Sequence, residues 1–88
     1  MSIRKIGLWF RTEGRSWEDV RREIDKRLTY LVRERGLCPA SVDSPLMERW
    51  ELKIGENDET ISIPYEITWI GRGYDGEEGI GVAFYFED

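Results

Sequence analysis

Histidine is missing from this 88-residue chain and cysteine occurs once, at Cys38. The usual general base near neutral pH and the commonest metal ligand are therefore absent, and the thiol has no imidazole to activate it. One cysteine makes no internal disulfide and supplies too few thiolates for a structural zinc or iron–sulfur site. It is expected to pack as a small apolar residue beside a helix end. Carboxylates gather at Glu56/Asp58/Glu59, at Asp75/Glu77/Glu78 and at Glu87/Asp88. Neither internal group has the ligand spacing of an EF-hand loop. Glycosidase or protease chemistry would need a cleft and one carboxyl with a raised pKa, whereas carboxylates on turns stay solvated and ionised. The expectation is a protein that is not an enzyme, with no catalytic residue, no metal and no cofactor.

One stretch matches a phosphate-binding pattern. Gly71-Arg72-Gly73-Tyr74-Asp75-Gly76 reads G-x-G-x-x-G and follows a predicted strand. A dinucleotide fingerprint must then open a helix whose N-terminus holds the pyrophosphate. Here Glu77, Glu78 and Gly79 lead into another strand, and their carboxylates would repel phosphate. The glycines read as a flexible hairpin loop from Gly71 to Gly79.

The elements follow from periodicity. Ile6, Leu8 and Phe10 alternate with Gly7, Trp9 and Arg11, giving a strand over 3–11; with both sides largely apolar, it is expected in the sheet interior. Trp17, Val20, Ile24, Leu28 and Leu31 form one helical stripe. Ser16 is the expected N-cap with Asp19 three residues on, Glu18–Arg22 and Glu23–Arg27 are i,i+4 pairs, and Gly36 ends the helix. Pro39 and Pro45 argue against regular structure in a 37–45 connector. Leu46, Trp50, Leu52 and Ile54 then alternate with Met47, Arg49, Glu51 and Lys53. After a polar turn at 55–60, Ile61, Ile63, Tyr65, Ile67 and Trp69 share one face of a third strand, in which Pro64 demands an edge or a bulge. The last strand is 80–86.

These elements predict an α+β fold, β-α-β-β-β, with a four-stranded, mostly antiparallel sheet and one amphipathic helix packed on one face. The expected core is Ile6, Leu8, Phe10, Trp17, Val20, Ile24, Leu28, Leu31, Leu46, Trp50, Leu52, Ile63, Ile67, Val82, Phe84 and Phe86. Residues 1–88 form a single domain. One helix cannot cover both sheet faces. By alternation the uncovered face carries Lys5, Trp9, Arg11, Met47, Arg49, Glu51, Lys53, Glu66, Thr68, Ile70, Ala83 and Tyr85.

Composition agrees with a folded domain, since 40% of residues are hydrophobic, 35% charged and 12% aromatic. The net charge of −5 is divided. Residues 1–42 carry ten Arg/Lys against six Asp/Glu, and residues 43–88 carry three against twelve. No apolar run approaches the ~20 residues of a membrane helix, the N-terminal run breaks at Arg11 and lacks a signal-cleavage site, and the expected location is a reducing cytoplasm.

Trp9 and Tyr85 flanked by Arg11, Arg49 and Lys53 could stack bases and hold phosphate. The same set with Met47 and Ile70 equally suits a protein interface, where Trp, Tyr, Met and Arg are enriched. The acidic balance favours protein. The expectation is a small acidic protein-binding module of inhibitor, immunity or adaptor type, contacting its partner through Trp9, Arg11, Met47, Arg49, Lys53, Ile70 and Tyr85, with Glu56, Asp58 and Glu59 meeting a basic surface. A homodimer through the uncovered face accompanies that reading, and a single-stranded nucleic-acid binder is the alternative.

Overall fold

The structure is a computed structural model and describes residues 2–41, 47–55 and 59–87. Alternation over the first residues produces strand β1 (Ile3–Arg11), with Phe10 buried and Ile6 and Leu8 half-buried against the helix. Helix α1 (Trp17–Arg33) begins where its cap dictates: Ser16 is extended and its hydroxyl accepts the Asp19 N–H at 3.2 Å. Val20, Ile24 and Leu28 form the buried stripe. Past the helix, Gly36 takes a φ of +66° that an L side chain resists. Of the expected helix pairs, Glu18 and Arg22 approach to 4.0 Å. Glu23 is instead taken by Arg15 at 2.6 Å, and Arg15 also donates to the carbonyls of Arg11 and Asp19. This one side chain fastens the β1–α1 loop to the helix.

The 37–45 connector holds a strand after all: β2 (Cys38–Pro39) pairs antiparallel with the end of the last strand, and the Ala40 N–H donates to the Tyr85 carbonyl. Pro39 is tolerated because so short a strand needs few donors. Cys38 lies opposite Glu87 and is exposed, not packed as an apolar residue. The remaining strands are β3 (Glu48–Ile54), β4 (Glu59–Arg72) and β5 (Glu78–Glu87). Their order is β1-β5-β4-β3, antiparallel throughout, giving a five-stranded α+β fold. The interior strands are therefore β5 and β4, and β1 is an edge. Its second apolar side packs not against a second layer but, through Trp9, onto glycines.

Strand β4 is two half-strands in series. Glu59 to Tyr65 pair with β3, and Tyr65 to Arg72 pair with β5, so only Tyr65 has partners on both sides. Pro64 thus sits in an interior strand at the point of handover, where among the described residues a ladder runs on one flank only.

On the helix side of the sheet Phe10, Val20, Ile24, Leu28, Leu52, Ile63, Ile80, Val82, Phe84 and Phe86 make one buried cluster. Burying a side chain of this size stabilises the fold by about 1.5–3 kcal/mol. Trp50 locks the helix to β3, its indole N–H donating to Asp25 Oδ1 at 2.7 Å while its ring meets Tyr65 and Phe84 edge-on. Two expected core residues lie outside the core. Trp17 is 56% exposed, at the rim between the helix start and β3, and Ile67 is 50% exposed on the part of β4 that has no described β3 neighbour. Leu46 lies outside the described residues.

Candidate functional site

The feature that shapes the uncovered face is a β-bulge. The β4–β5 register runs Tyr65 to Phe84 and Ile67 to Val82, then Trp69 to Gly81 and Ile70 to Ile80. One extra residue, Thr68, is inserted between Ile67 and Trp69, and an insertion of one flips every later side chain to the other face. Trp69 therefore leaves the helix side, where strict alternation put it, and joins the uncovered face. Ile70 makes the opposite move: it stands opposite the core residue Ile80, so its assignment to the uncovered face is corrected.

Trp9 also lies opposite Gly81, from the β1 side. The two tryptophans thus flank one glycine across three adjacent strands, about 10 Å apart at the backbone. Their rings rest on more glycine. A Cβ added to Gly73 would stand 2.7 Å from Trp9 Cζ2, one added to Gly79 would run into the same ring and lie 2.6 Å from the Phe10 carbonyl oxygen, and one added to Gly81 would stand 3.3 Å from Trp69 Cβ. The Trp69 indole lies along its own strand past Gly71 and donates from Nε1 to the Arg72 carbonyl at 3.3 Å. The Gly71, Gly73, Gly79 and Gly81 positions are a floor without side chains on which two indoles lie.

The turn from β4 to β5 closes the third side, held by the Gly73 N–H to the Glu77 carbonyl at 3.0 Å and the Asp75 carboxylate accepting the Glu77 N–H at 3.0 Å. It presents Tyr74, whose side chain is fully exposed, and Asp75. Trp9, Trp69, Arg72, Gly73, Tyr74 and Asp75 enclose an open recess of about 680 Å³, within the range of ligand sites. Arg72 also lines it, from a ladder position opposite Glu78. Trp9 is 37% and Trp69 56% exposed.

The residues expected to bind a partner are dispersed relative to this recess. Trp9 lines it. Arg11 is beside it, 3.7 Å from Glu77. Tyr85 is four residues along the ladder from Trp9, about 13 Å away, so the two aromatics are not one platform. Its hydroxyl donates to Glu66, which also lies 3.7 Å from Lys5. That hydrogen bond, then burial, raises the Tyr85 pKa above its ordinary value. Arg49 and Lys53 sit on β3 at the far side of the sheet, Met47 is half-buried just before it, and Glu59 opens β4 at the opposite end from the recess. Glu56 and Asp58 lie outside the described residues. Sequence reasoning missed Trp69, Tyr74 and the glycine floor. The available signal was the spacing of glycine at 71, 73, 79 and 81, where small residues two apart mark close approach by something large.

No helix among the described residues is long and apolar enough to cross a membrane, and no group of three acidic, cysteine or histidine side chains among them could hold a metal ion. Comparison of the chain with protein-family models, with curated proteins and with solved structures finds no match.

Proposed function

We propose that the chain is a non-enzymatic protein-binding module whose contact surface is centred on the Trp9–Trp69–Tyr74 recess. The observation that carries this reading is the pair of half-exposed indoles held on a glycine floor. A core position would bury them, and the fold instead departs from regular pairing at Thr68 in the way that brings Trp69 beside Trp9. Exposed Trp and Tyr in a formed recess are what interface hot spots are made of. The charge pattern favours protein over nucleic acid. Arg11 and Lys5, which would have to grip phosphate, face Glu77 and Glu66, and a phosphate backbone approaching Trp9 would meet those carboxylates.

The test is partner capture from the native host with the intact protein, Trp69→Ala and Trp17→Ala as baits, each checked for folding by circular dichroism. A partner retained by the intact protein and Trp17→Ala but lost by Trp69→Ala is the expected result. A partner indifferent to Trp69→Ala removes the recess from the account.

A further inference from the structure

We infer that the recess receives an arginine side chain of the partner, its guanidinium lying against the indoles of Trp9 and Trp69 with the Asp75 carboxylate at its edge. The inference rests on the reading that the recess is the contact site. Three features point to a cation of planar shape. The walls that reach into the recess are π faces, from Trp9, Trp69 and Tyr74, and a cation over such a face is attracted by the ring quadrupole, Arg more often than Lys. The oxygen acceptors named at the rim are the Asp75 carboxylate and the Arg72 carbonyl, Arg72 standing opposite Glu78 in the ladder. The nearest cation on the open face, Arg11, already faces Glu77. The Trp69 N–H is engaged by the Arg72 carbonyl, so that indole offers its face in place of a donor.

The electrostatics agree at longer range. The chain carries −5 overall, and residues 43–88, which supply Trp69, Tyr74 and Asp75, hold twelve of its eighteen carboxylates against three cations. A basic partner segment is attracted to this half over a Debye length of about 8–10 Å. A guanidinium suits the space better than an ammonium because it is planar, weakly hydrated and able to stack while its edge donates to a carboxylate. Only one Asp75 oxygen is needed to hold the turn through the Glu77 N–H, which leaves the other as an acceptor.

The experiment uses the intact protein and two short acetylated Gly/Ala peptides, one with a central arginine and one with citrulline, its uncharged near-isostere. Binding is followed by tryptophan fluorescence. The arginine peptide should bind at least about threefold more tightly than the citrulline peptide, the margin that a half-exposed cation–π contact supplies. Asp75→Asn, which keeps the oxygen that accepts from Glu77, should bring the two affinities together, and Trp69→Ala should abolish the response. Equal binding of both peptides, still dependent on Trp69, would overturn the arginine and leave the recess as the contact site. If neither peptide binds while the captured partner still needs Trp69, the arginine assignment again falls alone. Tighter binding of an oligothymidine than of either peptide would overturn the arginine and the protein-binding reading together.

Discussion

Trp9 is the residue on which fold and site meet. Its ring occupies the space that side chains at Gly73 and Gly79 would fill, so the two glycines can be told apart by what each substitution displaces. At Gly73 the three nearest neighbours of an added methyl are Trp9 ring atoms. Gly73→Ala should therefore shift the indole and weaken partner binding with little loss of stability. At Gly79 the methyl also meets the Phe10 carbonyl, which belongs to the β1–β5 ladder, and Gly79→Ala should cost about 1–3 kcal/mol in chemical denaturation, the usual penalty of overpacking. Equal stability of the two variants would show that the indole does not rest on these glycines. A second residue-scale expectation concerns alkaline pH. The Tyr65 hydroxyl is raised above its ordinary value of 10.0, first by burial and then by donating to Glu48. A phenol whose pKa is higher folded than unfolded contributes stability that is complete below pH 10 and is lost as pH climbs through the folded value. Tyr65→Phe should flatten the alkaline decline of stability, measured as denaturation midpoint against pH. An unchanged slope would mean that this phenol is not coupled to folding. Single residues were also where the sequence was most legible: the Ser16 cap and the Gly36 stop were readable because their chemistry is local.

At the scale of elements, β1 was readable to the residue from its alternation and α1 at its start, where periodicity and the Ser16 cap agree, while its end at Arg33 falls short of the Gly36 stop. The bulge was not. Ile61, Ile63, Tyr65, Ile67 and Trp69 alternate without a break, and nothing local marks Thr68 as an insertion; it shows only in the pairing of β4 with β5, a long-range fact. The site was half-legible for the same reason, since alternation finds Trp9 but places Trp69 and Ile70 on each other's faces. The edge position of β1 was hidden too, because an indole on glycine gives an edge strand the two apolar sides of an interior one. Deleting Thr68 should leave a regular ladder in which Trp69 follows Ile67 directly and stays opposite Gly81, so the variant should fold with Trp69 on the open face, its emission unshifted and partner binding retained. A deletion variant that folds but loses partner binding, with a blue-shifted emission, would show that the ladder position does not by itself set the orientation of Trp69.

Across the whole molecule, the 14-residue β4 separates two features that were expected to act together. Glu59 is at one end of the strand and the recess at the other. Charges remote from the contact steer encounter more than they hold the complex. Replacing Glu56, Asp58 and Glu59 by Gln, Asn and Gln should slow association at low salt while leaving the dissociation rate unchanged, as read by stopped-flow against the captured partner. A faster dissociation would place the turn inside the interface. The central claim, that partners are held by the two indoles over the glycine floor, is tested most directly by the indole N–H resonances of the ¹⁵N-labelled protein. The chain has four tryptophans, of which Trp50 is tied to Asp25 and Trp17 lies on the helix rim. On titration with the captured partner the Trp9 and Trp69 resonances should move together and saturate together, while those of Trp50 and Trp17 stay in place. Movement of the Trp17 resonance with Trp9 and Trp69 unmoved would contradict the account.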